Sequence, residues 1–556
     1  MVPTFDIEAV QWTQPIAVGF FDGREYHEFL KINEECDVIW EFLKFIKKYE
    51  GIKVYAHNAA GYDNKFILDS LTKHDQIVRF VAGLGALIWI GPNISFEDSY
   101  LLLSRKLSVC CEALGVSQKL EWRHDETKNP WEMQPILGSF SEYLKRDCIA
   151  LSEVLDSFTE KLLTNFGITP SSTLALTAIK AFNKRFYPVR KIASNVEFET
   201  FIRAATYGGR NEVYKRYGEN INFYDVKRMF MSCYDTPVPV GRMRWRSPNI
   251  DKGTLAEAIV KVPDASIGPL PYRFNGRLIF PIGEFRGWWD MVELRYAAQL
   301  GVDIKLIRQL ECDEKPILKS FCEFVNKLSE NSNLDMGRIW KLFGLRLSGK
   351  FGQHRIRTEI KHVKDIKENE YNPMDKNEIY HEVTSSLASF KSPYIKPAIN
   401  MRIRAEAKVR HLEKLLEAQD VYYCDTDSVY TTVELPTGNH IGDLKLVEFA
   451  VRAYFVGSKF YGYVNSSEIL KQKTAGYRDY QLTEYDFKRV LKGEEIPCTF
   501  SRIENWKEIL KGRGVNLVKH SFTFRQPNFS NRILGEIETS PIKLIDGKAE
   551  EIPSIR

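Results

Sequence analysis

The run Tyr422-Tyr423-Cys424-Asp425-Thr426-Asp427-Ser428-Val429-Tyr430 leaves the backbone few choices. Aromatic and β-branched residues at either end favour strands, and the Asp-Thr-Asp centre suits a turn. In an extended or hairpin setting, carboxylates at i and i+2 lie on one face. Two carboxylates held that close invite a divalent cation that prefers oxygen, Mg²⁺ or Mn²⁺. Asp-rich turns that bind nothing are also common. On this motif alone the two readings stand level, and the rest of the chain decides between them.

At 556 residues the chain exceeds a single core and should hold about three or four domains. Its 78 basic and 73 acidic residues leave a net charge of +5, which permits nucleic-acid binding without arguing for it. The 9 cysteines are scattered with no C-x-x-C pair, and adjacent Cys110-Cys111 suits neither a zinc ribbon nor a disulfide framework. They read as reduced packing residues of a cytosol-like compartment. The most apolar run, Phe80 to Ile90, is too short to cross a bilayer, and the first residues show neither a basic n-region nor an Arg/Ser-rich leader. A soluble, intracellular protein with no membrane partner is expected.

Thr4-Phe5-Asp6-Ile7-Glu8 opens a strand with Asp6 and Glu8 on one face. His57-Asn58-Ala59-Ala60-Gly61-Tyr62-Asp63 follows an apolar strand from Ile52 to Ala56 and precedes a helix from Asn64 to Leu71. Tyr143 and Asp147, at i and i+4 of a helical stretch, share a helix face. Each of these alone is more often a solvated strand or helix end than a site. In order, as D-x-E, N-x₃-Y-D and Y-x₃-D, they form a set of carboxylates with a tyrosine beside the last. Such a set suits two metals about 3.5–4 Å apart that clamp the attacking water and the leaving oxygen of a phosphodiester. It resembles the 3′–5′ proofreading exonuclease domain of DNA polymerases. That resemblance implies Asp6, Glu8, Asp63 and Asp147 as catalytic metal ligands, with Tyr143 orienting the water.

Beside that domain, Asp425-Thr426-Asp427-Ser428 resembles the third polymerase motif of family B DNA polymerases, Y-x-D-T-D-S. The first motif is matched by Phe223-Tyr224-Asp225-Val226-Lys227-Arg228-Met229-Phe230-Met231, with Arg228 in place of the usual Ser and Met231 in place of Pro. The finger-helix motif, K-x₃-N-S-x-Y-G-K-F, is matched at Lys341, Gly349, Lys350 and Phe351, while Leu345, Arg346 and Ser348 replace Asn, Ser and Tyr. Positions 341, 345 and 348 share one helix face, which the resemblance turns toward the incoming nucleotide. It implies Asp225 and Asp427 as ligands of two Mg²⁺ ions (Mn²⁺ as a substitute), supported by Asp425. It also implies Lys341 on the triphosphate, Phe230 under the deoxyribose, and Val226 and Lys327 as further nucleotide contacts.

Length points to the protein-primed subgroup of small phages, linear plasmids and related viruses, since cellular replicases of the family are much longer. The gap between the first motif and Lys341 is too long for a plain connection. It resembles the subgroup's insertion for a priming terminal protein, and a second gap after Gly349 leaves room for the insertion that helps encircle template. The implied architecture is α/β (α+β multidomain): an RNase H-like exonuclease domain (1–168) followed by a right-hand polymerase. Its parts are palm (169–237), terminal-protein insertion (238–325), fingers (326–352), second insertion (353–395), palm again (396–500) and thumb (501–556). Lesser matches add Lys119, with Trp122, to the exonuclease site, and Asn58, Tyr62 and Ser99 as DNA contacts there. Tyr207-Gly208-Gly209 resembles the DNA-binding linker between the halves, and Lys459, Tyr461 and Lys473 resemble primer-strand contacts.

The expected function is a DNA-directed DNA polymerase with 3′–5′ exonuclease, primed by a protein hydroxyl and acting as a monomer on template-primer DNA with dNTPs. The alternative is a 3′–5′ exonuclease whose polymerase half has decayed, motivated by the finger-helix departures. A non-enzymatic DNA-binding scaffold is least favoured, because it does not require two sets of metal-spaced carboxylates.

Overall fold

The structure, a computed structural model, describes residues 1–81, 84–354, 356–366, 380–386, 392–477, 480–527 and 531–549. Three sheets of six or more strands organise it. In the strand Thr4–Val10 the period of two sends Phe5 and Ile7 to one face and Asp6 and Glu8 to the other. Phe5 and Ile7 pack with Phe42, Val54, Phe66 and Phe96. The acidic face is covered by the helix Leu137–Phe166, which carries Tyr143 and Asp147.

That strand belongs to a nine-stranded sheet. Its order is Tyr380–Ser386, Ile356–His362, Val78–Val81, Ala86–Trp89, Ile94–Asp98, Lys53–Ala56, Thr4–Val10, Gln14–Phe21, Tyr26–Leu30. The first two strands come from the segment expected as a second insertion. Glu359, Ile360 and Lys361 pair with Val81, Phe80 and Arg79, and a two-point ion pair from Arg79 to Asp365 fastens the join, both bonds 3.0 Å. Residues 355, 367–379 and 387–391 of that segment lie outside the described residues.

The second sheet has seven antiparallel strands. The order is Leu470–Thr474, Phe460–Asn465, Leu444–Gly457, Tyr217–Val226, Ser428–Thr431, Val421–Asp425, Asn211–Val213. The run Tyr422 to Tyr430 is thus a tight hairpin in which Asp425 pairs with Ser428 around Thr426 and Asp427. Beside this sheet stands the helix Leu334–Phe351, whose first turn is capped by the Asn333 side chain accepting from Met336 N–H. The Tyr234 hydroxyl is inserted into its hydrogen-bond ladder, donating to Gly344 O (2.9 Å) and accepting from Ser348 N–H (3.1 Å). A β carbon at Gly344 would sit 2.6 Å from Met231 Sδ, so the glycine lets the first motif lie directly against this helix.

The third sheet, order Arg244–Arg246, Asp303–Glu311, Leu255–Val262, Ile282–Asp290, Lys543–Ile545, Lys548–Ala549, is built from the first expected insertion and the end of the chain. Gly283 has φ +84°, and a β carbon there would meet Leu544 O at 2.1 Å. Only glycine admits this strand. The segment 501–556, expected as a small thumb, therefore does not stand apart in its described part. One portion joins the third sheet. Another, between the paired strands Ile496–Ile503 and Leu517–Phe524, packs on the first sheet, where Ile509 and Val515 enter its apolar cluster and Trp506 stacks on Phe80 at 4.1 Å. The strand pair itself contributes Ile496 and Phe524 to a separate apolar cluster with Phe460 and Phe487.

On the helix Pro397–Ala418, Arg402, only 3% exposed, bonds Asp290 (2.9 Å) in the third sheet and Glu314 (2.5 Å) in the strand pair Val238–Pro239 with Glu314–Lys315. Removing one partner of such a pair leaves a buried charge uncompensated. Arg402→Ala should cost about 3–5 kcal/mol, read as a fall in the urea midpoint. Arg402→Lys should recover only part of it, because one ammonium nitrogen cannot reproduce the bonds that three guanidinium nitrogens make to the two carboxylates.

Candidate active sites

Asp225 ends the strand Tyr217–Val226 and pairs with Ser428, so it faces the hairpin tip. The tip is held from several sides. Thr426 N–H donates to Arg210 O (2.6 Å), Val226 N–H donates to Asp427 O (2.8 Å), and Asp425 N–H donates to Ser428 Oγ (3.0 Å). Thr426 adopts φ +63°, unfavourable for a β-branched residue. Gly209 lies against it, where a β carbon would be 2.7 Å from Thr426 Cγ2 and 2.8 Å from Oγ1. Asp225, Asp425 and Asp427 line a cleft of about 370 Å³ together with Lys459, Tyr461 and Lys473.

Burial, then Asp225 and Asp425 beside it, pushes the Asp427 carboxyl up to about 6. Burial also raises Asp225, against Lys445, Lys473 and Lys341, which favour its charged form. Lys341 is lowered by burial and then by Lys445 and Arg228. Three carboxylates thus share one cleft with Lys459 and Lys473, while Lys341 and Lys445 act on Asp225 from outside its lining. Lys445 was not singled out from sequence. It is the cross-strand partner of Asp225, and only the register of the sheet makes that visible.

A second acidic cluster lies in the first sheet. The Tyr143 hydroxyl donates to Glu8 Oε1 (3.0 Å), Lys119 Nζ bonds Asp147 Oδ2 (2.6 Å), and Ile7 N–H donates to Asp63 Oδ1 (3.1 Å). Burial pushes Glu8 and Asp63 each up to about 7. Asp6 is raised well above the carboxylate range by burial and then by Asp63, Glu8 and Asp147. Asp147 is raised by burial despite Lys119. The Asn58–Tyr62 turn that delivers Asp63 is organised by buried Asp98, which accepts from Ala60 N–H (3.2 Å) and Tyr100 N–H (2.8 Å).

The donors of both clusters are carboxylate oxygens, the set that hard divalent cations take. Among the described residues, no three acidic, histidine or cysteine side chains are already closed around one point. Asp147 Oδ1 is nevertheless buried with no hydrogen-bond partner, an oxygen that a cation would satisfy. The residues therefore fit such an ion in character.

Other expected contacts are placed differently. Ser99 is 0% exposed, its hydroxyl bonded to His57 Nδ1 (2.9 Å) and Ala56 O (3.1 Å), so it is not presented to a strand. Neighbouring Tyr100 is exposed instead. Tyr207 is 4% exposed and packs in the third sheet's core, with Arg273 4.4 Å over its ring; Gly208 and Gly209 lie half-buried beside it. Val226 buries its side chain, and its N–H is spent on Asp427. Lys327 is exposed on the helix Lys319–Glu330, outside the group of lysines that act on Asp225. Tyr461 is mostly buried, its hydroxyl 2.9 Å from that of Tyr430. Lys459 reaches Asp425 at 3.7 Å, and Lys473 is exposed at the cleft. Phe230 is half-buried, while Asn58 is exposed and Tyr62 half-exposed above the second cluster. Ser348 is buried, so the 341/345/348 face is not open along its whole length.

Residues 113–386 match the family described as DNA polymerase type B, organellar and viral. The chain is 25% identical over 59% of its length to a protein named "Probable DNA polymerase" from Podospora anserina, and 24% identical over 81% to one of the same name from Neurospora intermedia. It spans only 32% and 55% of those two proteins. It is 27% identical over 39% of its length to the "DNA-directed DNA polymerase" of Enterobacteria phage PRD1, covering 35% of that protein. Its fold matches that of phi29 DNA polymerase complexed with primer-template DNA and incoming nucleotide, with a TM-score of 0.70, 16% identity, and coverage of 95% of this chain and 99% of the other.

The Gly209–Thr426 contact is testable by stability alone. Gly209→Ala should cost about 1–3 kcal/mol through overpacking. Thr426→Gly in the same chain should recover most of that, since it removes the opposing side chain and tolerates the positive φ. Urea denaturation of the single and double variants checks both.

Proposed function

We propose that this chain, which is similar to the organellar and viral type B DNA polymerases, is a DNA-directed DNA polymerase that also carries a 3′–5′ exonuclease. The observation that carries the reading is the hairpin tip. Asp425 and Asp427 face Asp225 across a cleft into which Lys341 brings positive charge. Residues 1–168 would hold the exonuclease, and the segments 169–237, 326–352 and 396–500 the palm and fingers. The sheet formed largely by 238–325 would receive a terminal protein whose hydroxyl primes synthesis. A monomer acting on template-primer DNA and dNTPs suffices for this chemistry.

Asp225 and Asp427 would hold Mg²⁺ or Mn²⁺ in one site, and Asp6, Glu8, Asp63 and Asp147 would hold them in the other. Such ions supply charge neutralisation at phosphate and activation of the attacking oxygen. Around them the chain's own residues have separable tasks. Lys341 and Lys445 offer positive charge to a triphosphate. Phe230 offers a bulky ring as a floor for a deoxyribose. In the second site Tyr143 holds Glu8 and Lys119 holds Asp147, which fixes the orientation of both carboxylates relative to the scissile phosphate.

A second reading, an exonuclease with an inactive polymerase half, draws on the finger helix, where Leu345 and Arg346 replace polar residues and Ser348 is buried. Extension of a labelled primer on a longer template separates the two. With Mg²⁺, the parent should lengthen the primer when dNTPs are present and shorten it when they are absent. Asp427→Ala should abolish lengthening, a loss of several kcal/mol or about a thousandfold in rate, and keep shortening. Asp6→Ala should do the converse. Shortening in every lane would favour the second reading, and inertness in every lane would sink both.

A further inference from the structure

We propose that Trp12 is a stacking platform for the 3′-terminal base of a single strand entering the Asp6/Glu8/Asp63/Asp147 site. The inference rests on the exonuclease reading above. No motif marks this residue. It lies in the short turn between the strands Thr4–Val10 and Gln14–Phe21, immediately after the strand that carries Asp6 and Glu8.

Three observations converge on it. First, Trp12 is 56% exposed, although an indole ring gains much by burial. Second, Gln11 (φ +51°) and Trp12 (φ +65°) are the left-handed pair of a tight hairpin turn closed by Thr13 N–H donating to Val10 O (3.2 Å), which carries the ring directly off the strand of Asp6 and Glu8. Third, the ring is placed rather than loose. Its centroid is 5.9 Å from that of Tyr62, edge to face, and 5.9 Å from that of His124. Tyr62 immediately precedes Asp63, and His124 Nδ1 lies 3.8 Å from Glu8 Oε2. Tyr62, Trp12 and His124 therefore form an aromatic wall along one side of the carboxylates, with the exposed indole in the middle.

An exposed aromatic face beside a phosphodiester-handling site is the element that nucleic-acid proteins use to hold an unpaired base of any sequence. A base stacked on Trp12 would hold the strand end beside Glu8 and Asp63 equally before and during reaction, so Trp12 acts as a positioning residue whose loss is read in KM. A paired terminal base exposes one face but stays tied to its template, so a frayed end reaches the platform more readily.

The test uses the full-length chain and two oligonucleotides, one ending in 2-aminopurine and one ending in an abasic sugar. In EDTA, binding to the parent should quench the 2-aminopurine fluorescence. Trp12→Phe should keep the quenching and Trp12→Ala should lose it. With Mg²⁺, Trp12→Ala should raise KM about tenfold or more for the strand with a terminal base, leave kcat within about twofold, and leave the abasic strand unaffected. Equal KM changes on the two strands, or quenching that survives in Trp12→Ala, would overturn the proposal. If the parent degrades neither strand, the exonuclease reading fails, and the metal-free titration still decides whether Trp12 holds a base.

Discussion

Carboxylates do not gather in a protein interior of their own accord. Two unit charges 4 Å apart interact by about 4 kcal/mol at an effective dielectric near 20, and desolvation adds to the penalty for each. Both acidic clusters carry that cost, visible in the raised Asp6, Glu8, Asp63 and Asp427 carboxyls. The rest of the chain must hold these groups together against their own repulsion.

It does so mainly through backbone. In the second sheet the hairpin tip is pinned by Arg210 O, Val226 N–H and the Ser428 hydroxyl, and Gly209 packs against the strained Thr426. In the first sheet Asp98 organises the turn that delivers Asp63, while the helix Leu137–Phe166 lowers Tyr143 and Asp147 onto the strand that bears Asp6 and Glu8. Lysines relieve each cluster without filling it: Lys119 touches one oxygen of Asp147 and leaves the other unbonded. The pattern is that of a site whose remaining charge is left for something that arrives later.

Local rules made the carboxylates legible. Alternation in Thr4–Val10, the i, i+4 spacing of Tyr143 and Asp147, and the hairpin signal around Thr426 all concern residues whose neighbours in space are also neighbours in sequence. The roles that depended on long-range packing were not legible. Ser99 and Tyr207 sit in motifs associated with DNA contact, yet local sequence gives no sign that His57 would take up one hydroxyl or that a distant sheet would bury the other ring. Lys445 emerges only from cross-strand register. The same limit hid the far end of the chain, whose short strand Lys543–Ile545 finds its partner in the third sheet while Ile509 and Val515 pack in the apolar cluster of the first.

That last arrangement has a consequence for assembly. The strand Ile282–Asp290 is covered along one edge by Leu255–Val262, but among the described residues part of its other edge pairs only with Lys543–Ile545. During synthesis that stretch emerges long before its partner and presents unpaired backbone groups, a template for pairing with other chains. Contacts so distant in sequence also close slowly. Gly283, with no side chain to guard the edge, marks the place where a nascent chain is most exposed to mispairing, and the order of events on the ribosome bears on yield as much as final stability does.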